Sequence, residues 1–148
     1  MIRATTLRRF ENAIFVTVLS ALLTVPAESA TPVISTADGV FTIEQADTGK
    51  RAFTEHCSSG CHGSNLTGVE SVPALAGDAF VAQWEGLTIG ALFQRIRRTM
   101  PQSSPQSLSD STYIDIIAFL LDANGYPSGK RRLIPAQDLL DGITIAEP

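Results

Sequence analysis

This chain of 148 residues contains only two cysteines, which lie four positions apart at 57 and 61, with a histidine on either side at 56 and 62. Thiols so close in sequence cannot tie distant segments together. A disulfide between them would close so short a loop that it would remove little entropy from the unfolded chain. The pair therefore points to a local, shared task. The chain around it is poor in long regular elements, and a domain of about 60–100 residues is already marginal in the surface it can bury. A large apolar group held at the cysteines would supply the missing interior.

The length fits one domain. At 44% hydrophobic and 18% charged residues, neither disorder nor a membrane bundle is favoured. A pI near 5.0 argues against a nucleic-acid partner, which calls for a basic stripe. The first residues read as a secretory leader. Arg3, Arg8 and Arg9 precede an apolar run from Ala13 to Val25, and small residues follow, giving cleavage after Ala27 or as late as 30. The run falls short of the roughly 20 apolar residues a span requires, so no stable membrane span is expected after cleavage. The expected organisation is a leader over 1–27, a flexible arm over 28–41 and one domain over 42–148, exported to the periplasm. Loss of the leader removes three arginines and Glu11, leaving 8 basic against 14 acidic residues and a net charge of −6. Such a surface favours a partner with a basic docking patch.

Periodicity and capping predict helices and no strand of useful length. Thr42 and Gln45 form a capping-box pattern ahead of Ile43, Ala46, Gly49 and Phe53 at helical spacing. That helix runs into His56-Cys57. Gly63 to Gly77 is turn-rich, with Asn65, Gly68 and Pro73 as breakers. Asp78 is placed to cap a short helix over Ala79–Trp84, and Thr88 another over Ile89–Arg98, which Met100-Pro101 ends. Ser109 caps the clearest helix, carrying Ile116, Ile117, Phe119, Leu120 and Leu121 up to a Gly125 stop. The tail, 128–148, carries isolated apolar residues that pack it across the domain. The expected class is all-α, with three or four modest helices and long connections.

The chemistry is concentrated in Cys57-Ser58-Ser59-Gly60-Cys61-His62. The c-type haem attachment signal is Cys-x-x-Cys-His, in which both thiols add to the haem vinyls and the histidine ligates iron. Three residues intervene here instead of two. On an α-helix, positions i and i+3 lie about 60° apart and i and i+4 about 40° apart. Either spacing keeps both thiols on one face, and Gly60 offers a local bulge for the extra residue. Two other readings stand beside this one. A thiol–disulfide redox protein would use Cys57 and Cys61, although the thioredoxin-like pattern has a two-residue spacing and strands. A zinc site needs about four protein ligands, and the chain has only four Cys or His residues in all.

Met100 favours haem. It is the one methionine left after the leader, and Thr99-Met100-Pro101 sets it at the start of a polar loop instead of inside an apolar run. That placement suits a sixth iron ligand, with His62 as the fifth.

The ordered run Gly49, Phe53, Cys57, Cys61-His62 and Met100-Pro101, followed by a C-terminal helix, resembles class I c-type cytochromes. More narrowly, Leu75-Ala76-Gly77, Trp84, Thr99-Met100-Pro101, Ser107 to Asp110, Tyr113 and Asn124 to Pro127 are similar to cytochrome domains associated with quinoprotein dehydrogenases. The resemblance covers about residues 42–145. It implies a small helical domain wrapped round one covalently attached haem c. It implies that Pro73 accepts, through its carbonyl, from the ligand histidine's other ring nitrogen, and that Trp84 lies near the haem edge. It implies that Gly49 and Phe53 pack the first helix on the last. His56 is left as a solvated residue.

On this reading both axial positions are filled, and the chain is a one-electron carrier and not an enzyme, free or as a subunit of an oxidoreductase complex. A dehydrogenase would be its donor and an oxidase or another cytochrome its acceptor. The rivals are the thiol–disulfide protein and a haem sensor or enzyme with an open axial site.

Overall fold

The computed structural model describes residues 34–69 and 71–148, so the expected leader over 1–27 lies outside the described residues. Five helices follow in order: α1, Ile43–Phe53; α2, Asp78–Trp84; α3, Ile89–Thr99; α4, Asp110–Ala123; and α5, Gln137–Asp141. Between α1 and α2 the chain continues as a wide π-type helix over Thr54–His62. Two-residue strands, β1 (Ile34–Ser35) and β2 (Ile143–Thr144), pair in parallel. The all-α expectation holds, with this ladder as the only sheet among the described residues.

Local chemistry accounts for the helix starts. Thr42, Thr88 and Ser109 each sit in extended backbone and accept a bond from the N–H three residues on, at 3.2, 3.1 and 3.1 Å, which satisfies one orphan donor per helix. α2 departs from expectation. Its cap is Gly77, and Asp78 is the first helical residue, where its charge suits the positive helix end. α4 is buried at nearly every position from Tyr113 to Leu121. Each large apolar side chain buried there contributes about 1.5–3 kcal/mol.

α1 crosses α4 at Gly49. A Cβ at that position would stand 1.7 Å from the carbonyl oxygen of Asp115, so only glycine lets the two backbones meet. One turn earlier, Gln45 is fully buried. Its amide donates to Asp115 Oδ1 at 2.9 Å and to the Leu133 carbonyl at 3.1 Å, and its oxygen accepts from Leu133 N–H at 2.9 Å. The expected capping box is therefore half formed. Thr42 caps, but Gln45 turns away to tie α1, α4 and the tail together.

Residues 34–41, expected as part of a flexible arm, are held instead. Thr36 and Phe41 are fully buried, and the Thr36 hydroxyl accepts from Ala146 N–H at 3.0 Å. The returning tail supplies that partner from 110 residues away. It buries Leu133, Leu140 and Ile145 and forms α5, a short helix that local pattern did not reveal. Among the described residues no helix is long and apolar enough to cross a membrane.

Candidate functional site

The π-type segment explains how three intervening residues are accommodated. In a two-residue motif the histidine follows the first cysteine by four positions, close beneath it on an α-helix. Here His62 follows Cys57 by five, which an α-helix would rotate about 140° away. Bonding from i to i+5 widens each turn and returns the fifth residue to the same side. The Gly63 N–H donates to the Ser58 carbonyl at 3.1 Å, the closing bond of that wider helix. Hydroxyls of Thr54 and Ser58 donate back to the carbonyls of Lys50 and Thr54, both at 2.8 Å, along the exposed side. The extra residue is thus spread over Thr54–His62 and not confined to a bulge at Gly60.

This segment forms one wall of a cavity of about 530 Å³, within the range of about 300–1,000 Å³ common for cofactor sites. Cys57, Cys61, His62, Pro73, Trp84 and Met100 all border it, so every residue singled out from the sequence meets at one place. Phe53, Phe80, Leu92, Ile96, Ile116 and Leu120 complete a largely apolar lining. Two of the lining residues that were not anticipated carry ionisable groups. His56, expected in solvent, borders the cavity with 31% of its side chain exposed and its Nε2 3.8 Å from Glu55 Oε1. Arg95 on α3 is the one guanidinium in the lining, which includes no carboxylate among the described residues. The RIRR run in α3 made a basic patch legible, but not which arginine turns inward.

His62 is buried, and its Nδ1 lies 3.4 Å from the Pro73 carbonyl oxygen. A carbonyl only accepts, so the proton of a bonded imidazole is on Nδ1 and the Nε2 lone pair is left free. The loop bearing Pro73 is closed by bonds from Leu75 N–H to the Leu66 carbonyl at 2.8 Å and from Gly68 N–H to the His62 carbonyl at 3.3 Å. Phe53 supports the imidazole, its ring centroid 6.5 Å away, and stacks at a tilt on Phe119 at 5.4 Å. Met100 is half-buried and extended (φ −128°, ψ 149°), and it closes α3 through a 2.8 Å bond from its N–H to the Ile96 carbonyl.

The two cysteines are free thiols in different settings. Cys61 is exposed and Cys57 half-buried. Burial, with a smaller contribution from the neighbouring Cys61, pushes the Cys57 thiol up to about 11. A redox-active thiol needs the opposite shift. With no thioredoxin-like sheet among the described residues either, the thiol–disulfide reading loses its support.

The donor set therefore suits a large, flat, mainly apolar group: two thiols and an imidazole on one helical segment, a thioether from a second element, and a largely apolar lining with Arg95 as its one guanidinium. The chain is similar to a chain in the crystal structure of the sulfane dehydrogenase SoxCD from Paracoccus pantotrophus, with 25% sequence identity and a TM-score of 0.47. The likeness covers 74% of this chain, and this chain spans only about 62% of that one. No curated protein matches. The family described as Cytochrome C oxidase, cbb3-type, subunit III matches residues 44–120, just over half the chain. This chain belongs to that family of c-type cytochrome domains, which transfer electrons through covalently bound haem c.

Proposed function

We propose that the protein is a periplasmic one-electron carrier in which His62 and Met100 ligate the haem iron and Cys57 and Cys61 form the two thioethers. Residues 1–27 serve as the export leader. A dehydrogenase supplies the electron, and an oxidase or another cytochrome receives it. The observation that carries this reading is the convergence of the two thiols, the imidazole and the thioether on one apolar cavity.

When bound, haem supplies the one-electron iron couple. The protein's residues set its terms. His62 Nε2, freed by the Nδ1 contact with Pro73, is available as the nitrogen ligand. Met100 supplies a soft sulfur ligand, and thioether ligation raises the reduction potential. With His62 and Met100 both holding the group, no position would be left for a substrate, and the protein would act by electron transfer alone. Phe53, Phe80, Leu92 and Leu120 exclude water, which favours the less charged, reduced state. Arg95, Gln83 and Trp84, all on the lining, carry N–H groups that would suit the group's carboxylates.

The visible spectrum of the purified protein tests this. The expected result is a low-spin reduced spectrum that changes on Met100→Ala. A colourless protein would overturn the reading. A high-spin spectrum with rapid binding of an added ligand would mean that Met100 leaves the sixth position open. The denatured haem spectrum checks Cys57 separately, since a band position typical of a single thioether would remove it from the attachment.

A further inference from the structure

Tyr113 near the start of α4 and Asn124, the residue that caps its end, reach the segments that carry the proposed axial ligands. Near the start, Tyr113 is 1% exposed, and its hydroxyl donates to the Met100 carbonyl at 2.7 Å. The same oxygen accepts from Leu108 N–H at 3.5 Å. At the end, the Asn124 amide donates to the Leu75 carbonyl at 3.0 Å and the Leu120 carbonyl at 2.7 Å. Its oxygen accepts from Gly77 N–H at 2.9 Å. The stretch held at Leu75 and Gly77 is the one whose Pro73 carbonyl lies 3.4 Å from His62 Nδ1.

Neither side chain borders the cavity, so neither is placed to touch iron or haem. Both nevertheless spend buried polar groups on loop backbone. A phenylalanine would fill the Tyr113 site without a hydroxyl to satisfy, and a buried polar group is costly unless it is bonded. Between the two positions runs a rigid helix about 16 Å long at 1.5 Å per residue. Its middle is locked in the core by Ile116, Ile117 and Leu120.

We propose that Tyr113 and Asn124 are positioning residues through which α4 holds both axial ligands, Met100 directly at its carbonyl and His62 by way of the Pro73 loop. This rests on the His62/Met100 reading. The two contacts act on the reduction potential in opposite senses. Loosening Met100 weakens thioether ligation, which favours the reduced state, so the potential falls. Loosening the Pro73 carbonyl weakens the bond that makes the imidazole more basic. The oxidised state is then less stabilised, and the potential rises.

The test uses the haem-loaded protein and its Tyr113→Phe and Asn124→Ala variants. It reads the midpoint potential, the affinity of the oxidised form for added imidazole, and the melting temperature. Tyr113→Phe is expected to lower the potential and to tighten imidazole binding about tenfold, the scale of one lost buried hydrogen bond. Asn124→Ala is expected to raise the potential and leave imidazole affinity within about twofold of wild type. Potentials that move in the same direction, or melting temperatures that fall while both potentials stay put, overturn the proposal and leave a purely structural role. If Asn124→Ala does not accumulate, Asn124→Ser is expected to shift the potential upward, and a downward or absent shift counts equally against it. A wild-type spectrum that is not low-spin, or is unchanged by Met100→Ala, sinks the ligand reading and this proposal with it. A normal low-spin spectrum with no split in potential sinks this proposal alone.

Discussion

The crossing of α1 and α4 and the loops around the cavity are built on different principles. At the crossing, backbone meets backbone at Gly49, a buried amide ties three segments, and buried apolar side chains pack on either side. Around the cavity, helical walls meet turn-rich loops at 63–69, 71–77 and 100–107, and about 530 Å³ is left between them. The first region is complete with protein alone. The second is shaped for something the chain does not encode, and this is why its loops read only as turn-rich stretches when taken locally.

Substitutions can break or sharpen this contrast. The largest expected effect is at the crossing. Gly49→Ala drives a methyl into the Asp115 carbonyl, which as backbone cannot move aside, and should cost about 3 kcal/mol or more. Denaturant unfolding measures it, and a loss below about 1 kcal/mol would mean that the crossing is looser than described. Gln45→Ala follows, at about 2 kcal/mol, because it strands the Leu133 N–H and carbonyl in the interior. Unfolding curves that match wild type would show that water or a shifted tail replaces the amide.

On the cavity side the expected effects are chemical more than energetic. In haem-free protein, alkylation at pH 8 should reach the exposed Cys61 well before Cys57. The rate at Cys57 should keep climbing as pH rises through 9 towards about 11. The sign follows from burial, which favours the neutral thiol and keeps the nucleophilic thiolate scarce below that range. Mass mapping of the labelled cysteines gives the order, and equal rates would place Cys57 in solvent. The smallest effect belongs to Arg97→Gln. Its ion pair with Asp110, at 2.6 Å, links the end of α3 to the start of α4 but is partly exposed. It should contribute no more than about 0.5 kcal/mol and vanish in high salt.

The same contrast governs what could be read from the sequence. α4 was legible because every signal agreed: a serine cap, an acidic first turn, a continuous apolar face and a glycine stop. The site was legible because Cys57, Cys61, His62 and Met100 are scarce residue types at telling positions. Gln45 was misread for a physical reason. Its spacing from Thr42 fits a local box, but a buried amide 88 residues from its partner Leu133 obeys tertiary contacts instead. The β1–β2 ladder and α5 were hidden in the same way, since each depends on a distant neighbour. The widening of Thr54–His62 had a cue, the extra residue itself, but a glycine in the motif suggested a bulge where the structure has a different helix.

Phe53 belongs to both regions. Its ring is part of the core at 2% exposure, leans on Phe119 and also forms a wall of the cavity, as Ile116 and Leu120 do. A group that fills that cavity therefore contributes to the folding equilibrium as well as to the redox couple. By linkage, whatever binds only the native arrangement stabilises the whole of it. In calorimetric terms, the haem-loaded protein should melt in one cooperative transition at a higher temperature than the haem-free protein. A failure in haem insertion would then appear first as a less stable chain and only second as an inactive one.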